Sequence, residues 1–377
     1  MESDFSWLLW ALPLVFALGW FASRLDLRQL RLENRQAPKA YFRGLNFLLN
    51  EQQDQAIDAF IEAVRNDPDT SELHFALGNL FRRRGEYERA VRVHEHLLSR
   101  GDLSARDRHR AQHALALDFL KAGLLDRAEE ALRKLEHTDH EAQALLALLA
   151  IYERTRDWAQ ASETARKLTD AGHGDFSGRL SHYLCEQASQ ASGPAAEQLL
   201  RQALHTAPTA ARPGLQLAAL QMQAGDPYAA FETLAGLTAT TPEAMGLIAR
   251  PLAEAARASH EEVRASRLLS ESQEARPSLD VLDALVMLDP QADSARQRYV
   301  AHLEREPSLV VAAKWVAGEK LEHEQFHPLV QRALDQAVKP LTRYRCAACG
   351  FEANRHFWQC PGCQAWDSYP ARRVEEL

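Results

Sequence analysis

The chain has 377 residues, room for two or three domains, and its 46% hydrophobic and 25% charged content is that of an ordinary soluble globular protein. With only 17 Gly and 16 Pro it is not collagen-like, linker-like or turn-dense β, and a net charge of −8 excludes the electrostatic signature of a nucleic-acid binder. Five cysteines are too few for a disulfide framework, yet four of them fall after residue 345.

The N-terminal segment Phe5–Ser23, FSWLLWALPLVFALGWFAS, carries no charge. As a helix it reaches roughly 28 Å, close to the thickness of a bilayer's hydrocarbon core. Trp7, Trp10 and Trp20 lie towards its ends, where amphipathic rings prefer the interface. A cleaved signal peptide would have a basic start and a shorter apolar run, whereas this one begins with Glu2 and Asp4. The reading is therefore one uncleaved transmembrane helix, residues 1–23. Arg24, Arg28, Arg31, Arg35 and Lys39 all follow it, so the positive-inside rule leaves the N-terminus outside and the rest in the cytoplasm. Residues 24–39 read as a juxtamembrane helix or linker.

From residue 40 a period near 34 dominates. The tetratricopeptide repeat is a helix–turn–helix of about 34 residues with small side chains where its two helices approach closely. Ala56, Ala90, Ala128, Ala161, Ala196 and Ala230 occupy one such position in six successive units, at spacings of 34, 38, 33, 35 and 34. Gly44, Gly78 and Gly85, aromatics such as Phe60, Phe81, Phe119 and Tyr152, and the unit-ending Pro68, Pro208 and Pro242 fit the same register. The expectation is six recognisable repeats over 40–242, then degenerate helical repeats over 243–339. Such stacks offer a groove lined by the first helix of each unit, suited to a peptide or a partner's helix. Arg82–Arg83–Arg84 read as solvated helix surface, and nothing in the groove looks like a nucleophile or an acid–base pair.

The C-terminal residues 340–377 contain Cys346-Ala-Ala-Cys349 and Cys360-Pro-Gly-Cys363, a C-x2-C-x10-C-x2-C pattern. Two such knuckles bring Cys346, Cys349, Cys360 and Cys363 onto one tetrahedral ion, zinc or iron. A module this small lacks a core, so the ion supplies much of its folding free energy. Tyr344, Phe351, Trp358 and Trp366 are expected to sheathe it or to dock it onto the last helices. With all four positions filled by thiolates, no site is left open for catalysis. A second pattern, His323-Glu324-Gln325-Phe326-His327, matches H-E-x-x-H. Pro328 disfavours helical geometry at His327, and the expected reading is two exposed histidines near a helix end. Cys185, alone in a predicted helix, reads as a small buried hydrophobe.

The order of these parts, with GLNFLLNEQQDQAIDAF (44–60), LGNLFRRRGEYERAVRVHEHLL (77–98), YRCAACGF and CPGCQAW, resembles the bacterial lipopolysaccharide assembly protein B family. The resemblance runs the whole length and is weakest over about 243–339. It implies an all-α tetratricopeptide-repeat solenoid with one N-terminal transmembrane helix and a small rubredoxin-like or zinc-ribbon knuckle domain holding one iron or zinc ion. It further implies a non-enzymatic inner-membrane regulator. Such a protein promotes destruction of the lipid A-committing deacetylase by the membrane-anchored AAA+ protease. It couples to an inner-membrane lipopolysaccharide sensor and scaffolds other lipopolysaccharide assembly proteins. The competing readings are a general envelope scaffold, a zincin through HEQFH, and an electron carrier through the four-sulfur site.

Charge divides unevenly among these parts: residues 1–39 and 340–377 each carry five basic and four acidic side chains, net +1, which leaves −10 on the repeats.

Overall fold

The structure is a computed structural model that describes Phe16 and residues 39–66, 70–320 and 322–377. The predicted span Phe5–Ser23 thus lies outside the described residues apart from Phe16. Among the described residues no helix is long and apolar enough to cross a membrane. Two compact units follow one another, Met1–Thr155 and Arg156–Leu377.

From residue 39 to Thr155, seven helices run in chain order among the described residues. The described part of α1 covers 39–49; then come α2 (Gln53–Asn66), α3 (Ser71–Arg84), α4 (Tyr87–Ser99), α5 (Ala105–Ala122), α6 (Leu125–Arg133) and α7 (Glu141–Thr155). The small residues of the repeat pattern let paired helices touch. A Cβ at Gly44 would come within 2.9 Å of the Phe60 ring, and one at Gly78 within 2.5 Å of His94. Gly85 and Gly123 end α3 and α5 at φ of 83° and 78°, a left-handed backbone in which glycine carries no Cβ penalty. Ser104 starts α5 by accepting the Asp107 N–H at 3.1 Å. Equivalent arginines lie over equivalent rings in two repeats, Arg89 on Phe81 at 4.0 Å and Arg127 on Phe119 at 4.2 Å.

Arg82 departs from the solvated-surface expectation. It is half-buried and donates to Asp118 at 2.9 Å, and Asp118 also meets His94 Nδ1 at 2.5 Å with both partners fully buried. His94 takes the ring position that Phe60 fills one repeat earlier, so a polar side chain inside the stack needed a carboxylate from α5 to satisfy it. Arg84 is also paired, with Asp54 and with Glu86 at 3.0 Å.

The second unit continues the helix pairs with α8 (Trp158–Asp170), α9 (Ser177–Gln190), α10 (Gly193–Thr206), α11 (Ala211–Gln223), α12 (Pro227–Thr240), α13 (Met245–Ser259), α14 (Glu262–Ala275), α15 (Leu279–Leu288), α16 (Ala292–Arg305), α17 (Leu309–Gly318) and α18 (His327–Val338). Asp157 and Asp226 cap α8 and α12 through the N–H groups of Gln160 and Ala229, at 3.1 and 2.9 Å. The stretch where the repeat pattern fades is regular helix pairs, and a large apolar cluster is centred there, on Ile248, Leu252, Leu269, Val281 and Leu285. Cys185 is fully buried among Leu184, Leu200 and Leu217, and burial pushes its thiol up to about 12.

The H-E-x-x-H segment spans two elements. His323 is exposed and precedes a short 3-10 turn, Glu324–Phe326, while His327 opens α18. Contrary to expectation, His327 is helical (φ −51°, ψ −48°) and half-buried, and its Nε2 bonds the Val316 carbonyl at 3.0 Å. Pro328 is tolerated because the first helical turn needs no intrahelical donor from it.

Candidate metal centre

Two short strands, β1 (Tyr344–Arg345) and β2 (Glu352–Ala353), pair antiparallel with Tyr344 opposite Ala353. They close the first knuckle. There Cys346 N–H donates to Phe351 O at 2.9 Å and Gly350 N–H to Cys346 O at 2.9 Å. The second knuckle repeats the geometry: Cys360 N–H donates to Ala365 O at 2.9 Å and Gln364 N–H to Cys360 O at 2.8 Å. Gly350 at φ 78° and Gln364 at φ 61° occupy the same left-handed turn position.

The four sulfurs lie within 4.8 Å of one another, with Cys346 Sγ 3.8 Å from Cys363 Sγ and Cys349 Sγ 3.7 Å from Cys360 Sγ. A tetrahedral ion with bonds of about 2.3 Å to sulfur has edges of about 3.8 Å, so the spacing fits a single ion, iron or zinc alike. Cys346 and Cys360 are buried, Cys349 and Cys363 exposed. Desolvation raises the Cys346 thiol, but the Ser368 hydroxyl and the N–H groups of Cys349 and Ala348 outweigh it and bring it down to about 6. Desolvation is likewise outweighed at Cys360, lowered by the N–H groups of Cys363 and Gly362. Each knuckle thus turns backbone donors towards thiolate charge. Beside them, the Tyr369 hydroxyl donates to Phe351 O at 3.1 Å.

The aromatic residues divide their work. Tyr344 is buried in the ribbon and Trp358 is half-buried, whereas Phe351 is exposed. Trp366 makes its contact with helices far from the last ones. It stacks on His182 of α9 at 4.7 Å and meets Trp158 of α8 and Tyr183 edge-on at 6.2 and 6.0 Å. The ribbon follows α18 in the chain, but Trp366 folds back onto helices that precede it by well over a hundred residues.

Charged pairs fix this return. His182 Nε2 donates to both Asp367 oxygens at 2.9 Å, and the buried Arg212 reaches His182 Nδ1 at 3.4 Å and Glu186 at 2.6 Å. Arg373 covers the Tyr344 ring at 4.1 Å and forks onto Asp280 at 2.6 and 2.8 Å. The final turn caps two helices: Glu376 accepts from Leu279 N–H at 2.7 Å at the start of α15, and Glu375 from Leu309 N–H at 2.6 Å and the Ser308 hydroxyl at 2.7 Å at the start of α17. Burial holds the Glu376 carboxyl above its usual range, partly offset by its backbone donors. Gly246 on α13 admits the ribbon backbone, since a Cβ there would lie 2.3 Å from Ala371 O. None of His182, Arg212, Gly246 or Asp280 carries a local sequence signal; the Glu375–Glu376 pair does, as acids suited to helix starts.

Helix pairs of this kind joined to a ribbon with four convergent cysteines define a tetratricopeptide-type repeat protein with a rubredoxin-type metal centre. The family described as "Rubredoxin metal binding domain" matches residues 344–369. Lipopolysaccharide assembly protein B of Escherichia coli (strain K12) is 30% identical over 97% of this chain and 98% of its own length, and the Haemophilus influenzae protein of the same name is 27% identical over 95% and 96%. The chain belongs to the lipopolysaccharide assembly protein B family. Among solved structures, a tetratricopeptide repeat protein from Parabacteroides merdae aligns at 14% identity over 67% of this chain and 99% of that one, with a TM-score of 0.35.

Proposed function

We propose that the chain is a membrane-tethered adaptor in lipopolysaccharide assembly, acting by holding proteins together and not by catalysis. The observation that carries this reading is the ribbon, whose sulfurs all converge on one ion position while its outer surface braces α8, α9, α13, α15 and α17. A centre built this way stiffens a helix-pair scaffold of the class that binds peptides and helices. The names of the full-length relatives support the assignment to lipopolysaccharide assembly.

In this proposal Phe5–Ser23 is a single inner-membrane span, with the N-terminus periplasmic and the repeats and ribbon cytoplasmic. Confinement near the bilayer raises the effective concentration of the repeats towards membrane-bound partners. Those partners are the membrane-anchored AAA+ protease, the lipid A-committing deacetylase it degrades, an inner-membrane lipopolysaccharide sensor and other assembly proteins. The test is the deacetylase's half-life after depletion of this protein. A lengthened half-life, restored by the native chain but not by Cys346→Ser/Cys349→Ser, is expected. An unchanged half-life would instead favour a general envelope scaffold.

A further inference from the structure

A cavity of about 200 Å³ opens between α14, α15 and α16. Its floor is apolar, formed by Pro277, Leu282, Leu285 and Ala301, and its wall carries two guanidinium groups, Arg298 and Arg305, against one carboxylate, Glu274. Arg298 is the unexplained group. Its Nε is buried with no hydrogen-bond partner, and it forms no ion pair among the described residues. That Nε is closed off from the cavity; what Arg298 offers a ligand there is its two Nη groups, which are not buried and form no hydrogen bond among the described residues. Arg305 is spent only on backbone, donating to Gln273 O at 3.2 Å and Glu274 O at 2.7 Å. Buried His302 accepts at Nδ1 from Gln273 Nε2 at 3.0 Å, so its neutral ring presents Nε2–H as a further donor. On its other side Arg298 lines a shallower depression with Glu262 and Asp289. Asp289 already accepts the Ser294 hydroxyl at 2.6 Å, and neither acid pairs with Arg298.

An apolar floor beneath a ring of donors with surplus positive charge complements one chemistry, an apolar group that carries a carboxylate. We propose that this cavity binds the C-terminal residue of a partner protein, its aliphatic or aromatic side chain on the floor and its terminal carboxylate against Arg298. The volume is below the roughly 300–1,000 Å³ of small-molecule pockets and admits one large side chain, not an acyl chain of membrane length. The Ser270 hydroxyl in the lining suits the polar backbone that precedes a terminal residue and is wasted on a fatty acid. The site is independent of the metal ribbon and of the adaptor role above, so either can fail without the other.

The experiment uses the full-length chain in detergent and fluorescein-labelled Gly-Ser-Gly-Ser-Leu, read by anisotropy. The free acid is expected to bind, with the C-terminal amide and a free acid ending in Gly each about ten-fold weaker or worse. Arg298→Gln should weaken the free acid about ten-fold and leave the amide unchanged, at an unaltered melting temperature. Equal binding of acid and amide, no binding of the acid at millimolar concentration, or displacement by octanoate at lower concentration than by unlabelled peptide would each overturn the proposal. The acid–amide comparison needs no variant, so it stands even if Arg298→Gln folds poorly.

Discussion

Trp366, three residues beyond the last cysteine of the metal centre, stacks on the buried ring of His182 with centroids 4.7 Å apart and planes inclined by 20°. Next to it His182 donates to Asp367, so one dipeptide joins the knuckle to α9 by both an apolar and a polar contact. Removing the ring takes away the stacking and leaves Tyr183 and Trp158 facing a void. Trp366→Ala is expected to cost about 3 kcal/mol in denaturant unfolding of the second unit, the low end for aromatic truncation because the ring is half-buried. Metal content should be retained, since no ligand changes. An unchanged midpoint would show that the stacking does not hold the ribbon.

Gly246 offers a sharper probe of the same contact. A single methyl there would sit 2.3 Å from Ala371 O, against backbone that cannot turn aside as a flexible side chain would. Gly246→Ala should therefore destabilise by about 1–3 kcal/mol, although alanine is the better helix former. Hydrogen exchange over 369–377 is the readout, and faster exchange there is expected. A stabilised variant would mean that the ribbon does not pack against α13 as described.

In the first unit the buried Asp118 serves both Arg82 and His94. Asp118→Asn removes the charge from one side of this network and is expected to cost about 3 kcal/mol. Arg82→Gln should cost less, because Arg82 is partly solvated and its loss leaves the His94 contact in place. The two variants together should cost less than their sum, which a double-mutant cycle on thermal unfolding would measure.

Acid should weaken this unit through His113. Its ring stacks on His140 with centroids 5.3 Å apart, and burial, with His140 and Arg82 adding charge repulsion, holds its pKa below the usual 6.5. The folded chain then binds fewer protons than the unfolded one as pH falls through about 6.5, so stability present above that value is lost on the acid side. The melting temperature should drop between about pH 7.5 and pH 5.5, and His113→Gln should flatten the slope. An identical slope in the variant would assign the pH dependence to other groups.

The repeats and the knuckles were legible because their signals are local. Six alanines near a 34-residue spacing mark close helix approach within each pair, and a Cys-x-x-Cys turn encodes its own backbone geometry. Past residue 243 the helices persist without the glycine and aromatic markers, because Ala249, Ala253, Ala256 and Ala265 give close approach in a different register. What stayed hidden depends on residues far apart in the chain. Nothing around His182 announces Asp367, 185 positions away, and an Arg-Arg-Arg run does not reveal that Arg82 alone turns inward. Docking on α8 and α9 as well as on the later helices α15 and α17 follows from Trp366, Asp367, Arg373 and Glu375, whose partners only the folded chain identifies.

The central claim is that the metal-held ribbon braces the helices of the second unit. Hydrogen exchange of the full-length chain before and after removal of the ion by a chelator tests it most directly. Loss of protection is predicted at the helix positions the ribbon touches, around Tyr183, Gly246, Leu279 and Leu309, with helices α3–α6 unaffected. Unchanged protection at all four places after the ion has gone would contradict it.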